Sequence, residues 1–327
     1  MKPIVAFACM LLSTASLATV RTVSNSPSQP AQYSDLQTAI NAAASGDTLY
    51  VLGTGTAYGS AQLSTPLTII GSGYAPPPPA QATVIPTIYL YAGAAGSRII
   101  AVESTNQVYV YCNNATLERC RFNYISPQVT GLTNLVIRHN YIYYCSLNYA
   151  NSALVANNIF HGSGYLQYSN SSSVVITNNL FMSYYWFALT TVSGALVTNN
   201  IFWQSNPGDA TVTGCTFNNN ITYQCNNNAL PFGTNAGTGN LVGVDPQFTN
   251  APNNTLNYTY NYDLLPASAG NNAGTDGADI GIFGGPAPWP NQNGLARIPR
   301  VTEFNLQFSQ VPQGGTVNGT VKAKKVD

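Results

Sequence analysis

The chain has 327 residues, no net formal charge, 45% hydrophobic residues and only 7% charged ones, against about 25% charged in an average soluble protein. It is long enough to bury a full core, with Asn, Tyr, Ser, Thr and Gly supplying its polarity. A neutral chain so poor in Lys and Arg has no charge with which to capture nucleic acid or an anionic membrane surface.

Lys2, the apolar run Ile4 to Leu12, and Ser16-Leu17-Ala18 have the layout of a secretory signal peptide over residues 1–18. Cleavage is expected after Ala18. The run is shorter than the ~20 residues that span a bilayer, and no later segment is apolar enough. Cys9 is rejected as a lipid anchor, since too little chain precedes it. Once Cys9 leaves with the signal, Cys112, Cys120, Cys145, Cys215 and Cys225 remain. None has CxxC or CxxH spacing, so no zinc site is expected. Small buried hydrophobes are the expected role.

Ser34 to Ser45 reads as one helix, with Ser34 and Gln37 as a capping box and Gly46 closing it. Leu36, Ala39, Ile40 and Ala43 share its apolar face. Thr48 to Val51 and Leu67 to Ile70 read as early strands, and Pro76 to Pro79 as a polyproline excursion. Then one pattern repeats: Thr116–Phe122, Leu135–Ile142, Leu154–Phe160, Val175–Phe181 and Leu196–Phe202. Each copy is a short alternating strand, a polar corner and another apolar residue. Its second polar residue is Cys120, Asn140, Asn158, Asn179 and Asn200 in turn. Thr211–Phe217 reads as a sixth copy after a shorter step.

A unit of about 20 residues cannot bury its own apolar face, so the copies must stack. The expected fold is all-β: a right-handed parallel β-helix, with the lone helix capping its open first coil. Asn140, Asn158, Asn179 and Asn200 would stack as a corner ladder, spaced about 4.8 Å apart. Ile137, Val155, Ile176 and Val197 form one inward column, and Ile142, Phe160, Phe181 and Phe202 another. The β-helix is expected over 31–285, a Pro/Gly-rich linker over 286–300, and a short C-terminal β-hairpin over 301–327. The hairpin strands are Val301 to Phe308 and Thr316 to Lys324, around Pro312-Gln-Gly-Gly315.

Tyr33–Asp47, Leu49-Tyr-Val51 and Leu67-Thr-Ile-Ile-Gly71 resemble the opening of pectin-lyase-like β-helix proteins. Asp245-Pro-Gln-Phe248, Tyr262–Pro266, Ser268, Ala273-Gly274 and Asp279–Gly284 resemble the closing segment of that superfamily, with Ala269 where Pro is usual. The resemblance is greatest to secreted and surface β-helix proteins of Bacteroidetes-type bacteria. It implies a fold more than a function. Lyases of the superfamily bind Ca²⁺ with clustered carboxylates and use Arg or Lys as base. Its hydrolases use two or three close carboxylates.

Within residues 84–230 the only carboxylates are Glu103, Glu118 and Asp209, in different coils and columns. That argues against both chemistries. Glu118, Arg119, Arg121, Arg138 and His139 cluster, and Glu118 and Arg138 align one coil apart. A stacked surface ion pair is expected there. The catalytic alternative is Arg121 or Arg138 acting as base beside Glu118. His139 and His161 fall in different columns and are not expected to pair.

Tyr143, His161, Met182 and Trp203 share an outward column, and Tyr184-Tyr185-Trp186 follows in a corner loop. Exposed aromatics on a weakly charged surface stack on the apolar faces of sugars. Tyr143, Tyr184, Tyr185, Trp186 and Trp203 are therefore the candidate ligand-binding residues, for polysaccharide or a cell-surface glycan. A ladder that only stabilises the coils is the alternative. No cofactor or metal is called for; Asp263, Asp276, Asp279, Asn271 and Asn272 read as turn formers, with Ca²⁺ as the other reading. The expected function is a secreted or surface-exposed, non-catalytic β-helix that binds glycans or surface proteins. The alternatives are a polysaccharide lyase or glycoside hydrolase, and a structural element of an envelope layer.

Overall fold

Parallel pairing of successive coils is what buries their inward residues, and it builds the whole wall of the molecule. The computed structural model describes residues 18–325 except 79, 168–172, 183–185, 291–293, 297–298 and 307–317. A ten-stranded parallel sheet, the first wall, starts with Val20–Val23, Thr48–Val51 and Thr68–Gly71 and ends with Thr216–Asn218. A fourteen-stranded sheet supplies the rest. It bends along its length. Strands Arg121–Pro127 and Tyr141–Ser146 cross the bend and pair with different neighbours on each side of it. The second wall lies before the bend and the third after it. Three walls around one core make the right-handed parallel β-helix that the repeats imply.

The inward columns have the expected register. Ile137, Val155, Ile176 and Val197 pair in sequence and are fully buried. Ile142 leads into Phe160, Phe181 and Phe202, whose rings stack with centroids 4.6 and 5.1 Å apart. The ladder is present too. Asn140, Asn158 and Asn179 each donate from Nδ2 to the Oδ1 of the next Asn at 3.0 Å. Each of these Oδ1 atoms also accepts a main-chain N–H from the preceding coil. Every amide is buried and satisfied, the condition under which a polar column stabilises a core.

The sixth copy has a different register from the expected one. Phe217 pairs with Val197, and the ladder passes from Asn200 to Asn220 and on to Asn240, again at 3.0 Å. The copy that fits is thus Phe217-Asn-Asn-Asn-Ile221, a full coil after Val197. Thr211–Phe217 matched in composition, but Cys215 sits at another corner, where its N–H donates to Asn235.

The N-terminal helix spans Leu36–Ala42, and Leu36, Ala39 and Ile40 are buried against the first coils. Its cap is Asp35, not Ser34: Asp35 Oδ1 accepts from Thr38 N at 2.7 Å. Gln37 does not reach back to the cap, because it exchanges two hydrogen bonds with the Gln62 main chain. The stack also begins before residue 31, since Val20–Val23 pairs with Thr48–Val51. All five described cysteines are buried thiols, and burial pushes Cys120 up to about 12 and Cys225 up to about 11.

Each corner places a left-handed residue just before the ladder: Arg119, His139, Asn157, Asn178, Asn199 and Asn219, with φ of 52–57°. Asn favours this conformation more than most residues. These side chains point away from the core and hold the returning C-terminal segment. Asn219 Nδ2 donates to Ala273 O, Asn199 to Thr275 Oγ1, and Asn178 to Gly281 O. Asn157 donates to Ile282 O and Gly284 O, His139 Nε2 meets Ala287 O, and Arg119 Nη1 donates to Leu295 O. Residues 273–290 thus run back up the helix as a strap, and Leu295 is held at the far end by Arg119. Ile280, Ile282 and Trp289 cover the outward residues Ile159, Leu180, Met182, Ile201 and Trp203 of the second wall. The start of the stretch read as a linker is part of this strap, and Trp289, Leu295 and Ala296 are buried. Beyond it, Pro299–Leu306 pairs antiparallel with Gly319–Lys325.

Candidate functional site

Where the fourteen-stranded sheet bends, consecutive outward residues diverge and open a groove of about 400 Å³. Glu103, Arg121, Asn123, Tyr143 and His161 line it. Pairing of Glu103 with Arg121 across adjacent strands sets their side chains together, and Arg121 Nη1 lies 2.8 Å from Glu103 Oε1. Tyr143 is 42% exposed, and its ring meets His161 edge-on at 6.1 Å. The following turn depends on glycine. A Cβ on Gly164 would fall 1.7 Å from Tyr143 O, and Gly162, at φ +71°, lies beneath the Tyr143 ring. Burial, helped by the charge of Arg121, pushes His161 down to about 4. At neutral pH the groove therefore holds a neutral His161 imidazole, beside the Tyr143 ring and the Glu103–Arg121 pair.

Past the bend, the outer face of the third wall carries tyrosines in contact from coil to coil. Tyr89 stacks on Tyr109 at 4.9 Å, Tyr91 meets Tyr111 at 5.6 Å, and Tyr124, Tyr144 and Tyr165 follow at 4.4 and 4.5 Å. All seven are half-buried. Sequence reasoning missed them. Their signal was there: 89 and 109, 91 and 111, and 124 and 144 are each one coil apart.

The structure separates the expected catalytic cluster. Arg121 joins Glu103 in the groove. Glu118 lies on the first wall under Arg98, Arg138, Arg119 and His139, at 3.4, 3.0, 3.6 and 3.8 Å. The expected Glu118–Arg138 ion pair is present, with the acid's side chain 9% exposed and that of Arg138 35% exposed. Burial opposes ionisation of Glu118, but the facing His139 and Arg138 outweigh it and hold the carboxyl down to about 2. Arg119 and His139 use their far ends to grip the strap, so this cluster is built for attachment.

Of the expected ligand-binding aromatics, Tyr143 lines the groove and Trp186 is 59% exposed. Tyr184 and Tyr185 lie outside the described residues. Trp203 is 5% exposed rather than open, because the closing segment lays Phe248 against its ring at 5.2 Å. Met182 is covered in the same way. In the closing segment Asp279 Oδ1 accepts from Asn272 N, and Asp276 Oδ1 from Ala278 N. Those are turn bonds, and no cluster of three or more His, Cys, Asp or Glu with metal-holding geometry occurs among the described residues. No described helix is long and apolar enough to cross a membrane.

Stacked coils, an Asn ladder at one corner and a groove at another define a right-handed parallel β-helix. The chain is similar in structure to pectate lyase Pel9A, with a TM-score of 0.52 at 13% identity over 82% of this chain and 97% of that one. At that identity the likeness is one of fold. No family model matches the chain, and no curated protein matches it in sequence.

Proposed function

We propose that this chain is an exported, non-catalytic polysaccharide-binding β-helix that takes its ligand on the tyrosine face and in the adjoining groove. The observation that carries this reading is the set of seven half-buried tyrosine rings on one wall, in two groups whose members touch across successive coils: Tyr89, Tyr91, Tyr109 and Tyr111, then Tyr124, Tyr144 and Tyr165. Such rings offer flat apolar area at little entropic cost, matched to the C–H faces of sugars, while their hydroxyls serve sugar hydroxyls. The pectate lyase likeness supports a polysaccharide as the ligand class. The groove supports binding without turnover. Its one carboxylate, Glu103, is taken by Arg121, whereas glycoside hydrolysis needs two carboxyls about 5–10 Å apart. Export rests on the layout of residues 1–18. Thr19 N donates to the buried Asp47 at 2.8 Å, so cleavage after Ala18 would set a new ammonium against that carboxylate.

A second reading, a lyase with Arg121 as base, is favoured by the meeting of Arg121, Tyr143 and His161 in one groove. One experiment tests both. The purified protein is passed over immobilised neutral and acidic polysaccharides, with retention and release of unsaturated ends followed together. Retention without release is expected, weakened about tenfold by Tyr144→Ser, as for loss of one stacking ring. Release of unsaturated ends that Arg121→Gln abolishes would replace the binding reading with the lyase.

A further inference from the structure

The first wall opens on a buried carboxylate. Asp47 is 1% exposed, and three donors meet it: Thr19 N at 2.8 Å, Arg21 Nε at 2.9 Å and Ala44 N at 3.0 Å. Arg21 is steadied in turn by Tyr33, whose hydroxyl accepts from its Nη1 at 2.9 Å. The Thr19 N–H does most to hold the Asp47 carboxyl well below the usual carboxylate range, against burial, which opposes ionisation. That contact is also where the chain enters the fold. Thr19 O accepts from Thr48 N at 2.9 Å, and Val20–Val23 then forms the edge of the ten-stranded sheet, with a strand on one side only. An edge strand frays from its free end, and Asp47 fastens that end.

The bond expected to be cut lies beside this contact. Ser16 and Ala18 supply the small residues of the cleavage site, and Ala18 and Thr19 are both exposed. Hydrolysis of the Ala18–Thr19 peptide by a signal peptidase consumes one water and leaves a carboxylate on Ala18 and an ammonium on Thr19. The nitrogen 2.8 Å from Asp47 thereby changes from a neutral amide with one hydrogen to a cation with three. Charge-assisted hydrogen bonds are about twice as strong as neutral ones, and a buried carboxylate gains more from a neighbouring cation than an exposed one does. A cut one residue to either side would move the charge by about 3.8 Å and forfeit the contact.

We infer that the Thr19 α-ammonium released by processing is a structural ion of the mature protein, paired with Asp47 and fastening the first strand. This rests on the export reading. Pairing raises the amine above its ordinary range of about 7.7–8.0. The stabilisation is therefore complete below that range and is lost as pH rises through the raised value. Asp47, Arg21 and Tyr33 are the titratable groups gathered here, from the turn after the helix, the first strand and the loop before the helix.

Two chains test it, one beginning at Thr19 and the other at Leu17. The second keeps the Thr19 N–H as an amide and carries its ammonium two residues away. The Thr19 chain should melt about 2 °C higher at pH 7, and the gap should close as pH rises beyond about 8. Asp47→Asn in both chains should abolish the gap. If that substitution prevents folding, reactivity toward an acylating reagent decides instead: the Thr19 amine should need a higher pH to react than the Leu17 amine. Secretion from a bacterial host followed by N-terminal sequencing should return Thr19 as the first residue. Equal melting at every pH, or equal amine reactivity, overturns the inference and leaves export standing; so does a secreted chain that begins elsewhere. An uncut chain kept in the cytoplasm overturns the export reading, and the inference falls with it.

Discussion

The second and third walls both turn stacked large side chains outward, and the chain treats them differently. On the second wall the row is Ile159, Leu180, Ile201 and Ile221, purely aliphatic, and the returning C-terminal segment buries it. On the third wall the large outward side chains are tyrosines in two shorter rows, Tyr89 with Tyr109 and Tyr124 with Tyr144 and Tyr165, half-buried and left open. The contrast teaches that an outward apolar residue repeated in every coil is a seat for further chain, whereas an outward phenol tolerates water on its own. Stability should therefore depend on the first row and ligand binding on the second.

The largest expected effect comes from charging the covered row. Leu180→Asp should cost about 4 kcal/mol in chemical denaturation, because it buries an unpaired carboxylate beneath the strap. An unchanged midpoint would mean that the strap does not seal that row. Next comes the buried acid that anchors the strap's end. The carboxyl of Glu118 is held near 2 against an ordinary 4.5, so its contribution is complete above pH 4.5 and is lost as pH falls towards 2. It is worth about 3 kcal/mol. Glu118→Gln should lower stability at neutral pH by that amount and flatten the acid limb of the stability profile. A parallel profile for parent and variant would remove the ion-pair account. Smaller is the loosening of a single clip. Asn157→Gly keeps the left-handed corner and deletes the bonds to Ile282 O and Gly284 O. It should cost about 1 kcal/mol and speed hydrogen exchange around residues 280–290. The smallest is on the open wall, where Tyr144→Ser should change stability by less than about 1 kcal/mol while weakening polysaccharide retention.

The inward side of the fold was legible in the repeats because inward positions obey one rule. Ile137, Val155, Ile176 and Val197, the Phe column and the Asn ladder all follow from alternation and coil spacing. The register slipped at Thr211–Phe217, where the Asn218-Asn219-Asn220 run offers several ladder candidates and only contact with Val197 and Asn240 chooses among them. The outward side was harder, since its residues answer to a segment far along the chain. Trp203 and Met182 looked exposed because nothing within their own coils covers them; Phe248 and Ile280 do so from across the sequence. A clue was nevertheless present. In Asn157-Asn158-Ile159-Phe160, the residue between the ladder Asn and the core Phe points outward yet is apolar in every later coil. Of the candidate site, Arg121 and Tyr143 were recognised, while Glu103's partnership with Arg121 depends on a cross-strand register that spacing alone did not show.

The clipped corner residues also change how such an array comes apart. A stack whose coils touch only their neighbours melts as a linear chain, fraying from an end one unit at a time. Here a single lengthwise segment is fastened to successive coils from Asn219 back to Arg119. A terminal coil cannot peel away without drawing on fastenings held by coils well inside the array. The segment behaves as a batten nailed across planks, and it should convert gradual fraying into one cooperative transition.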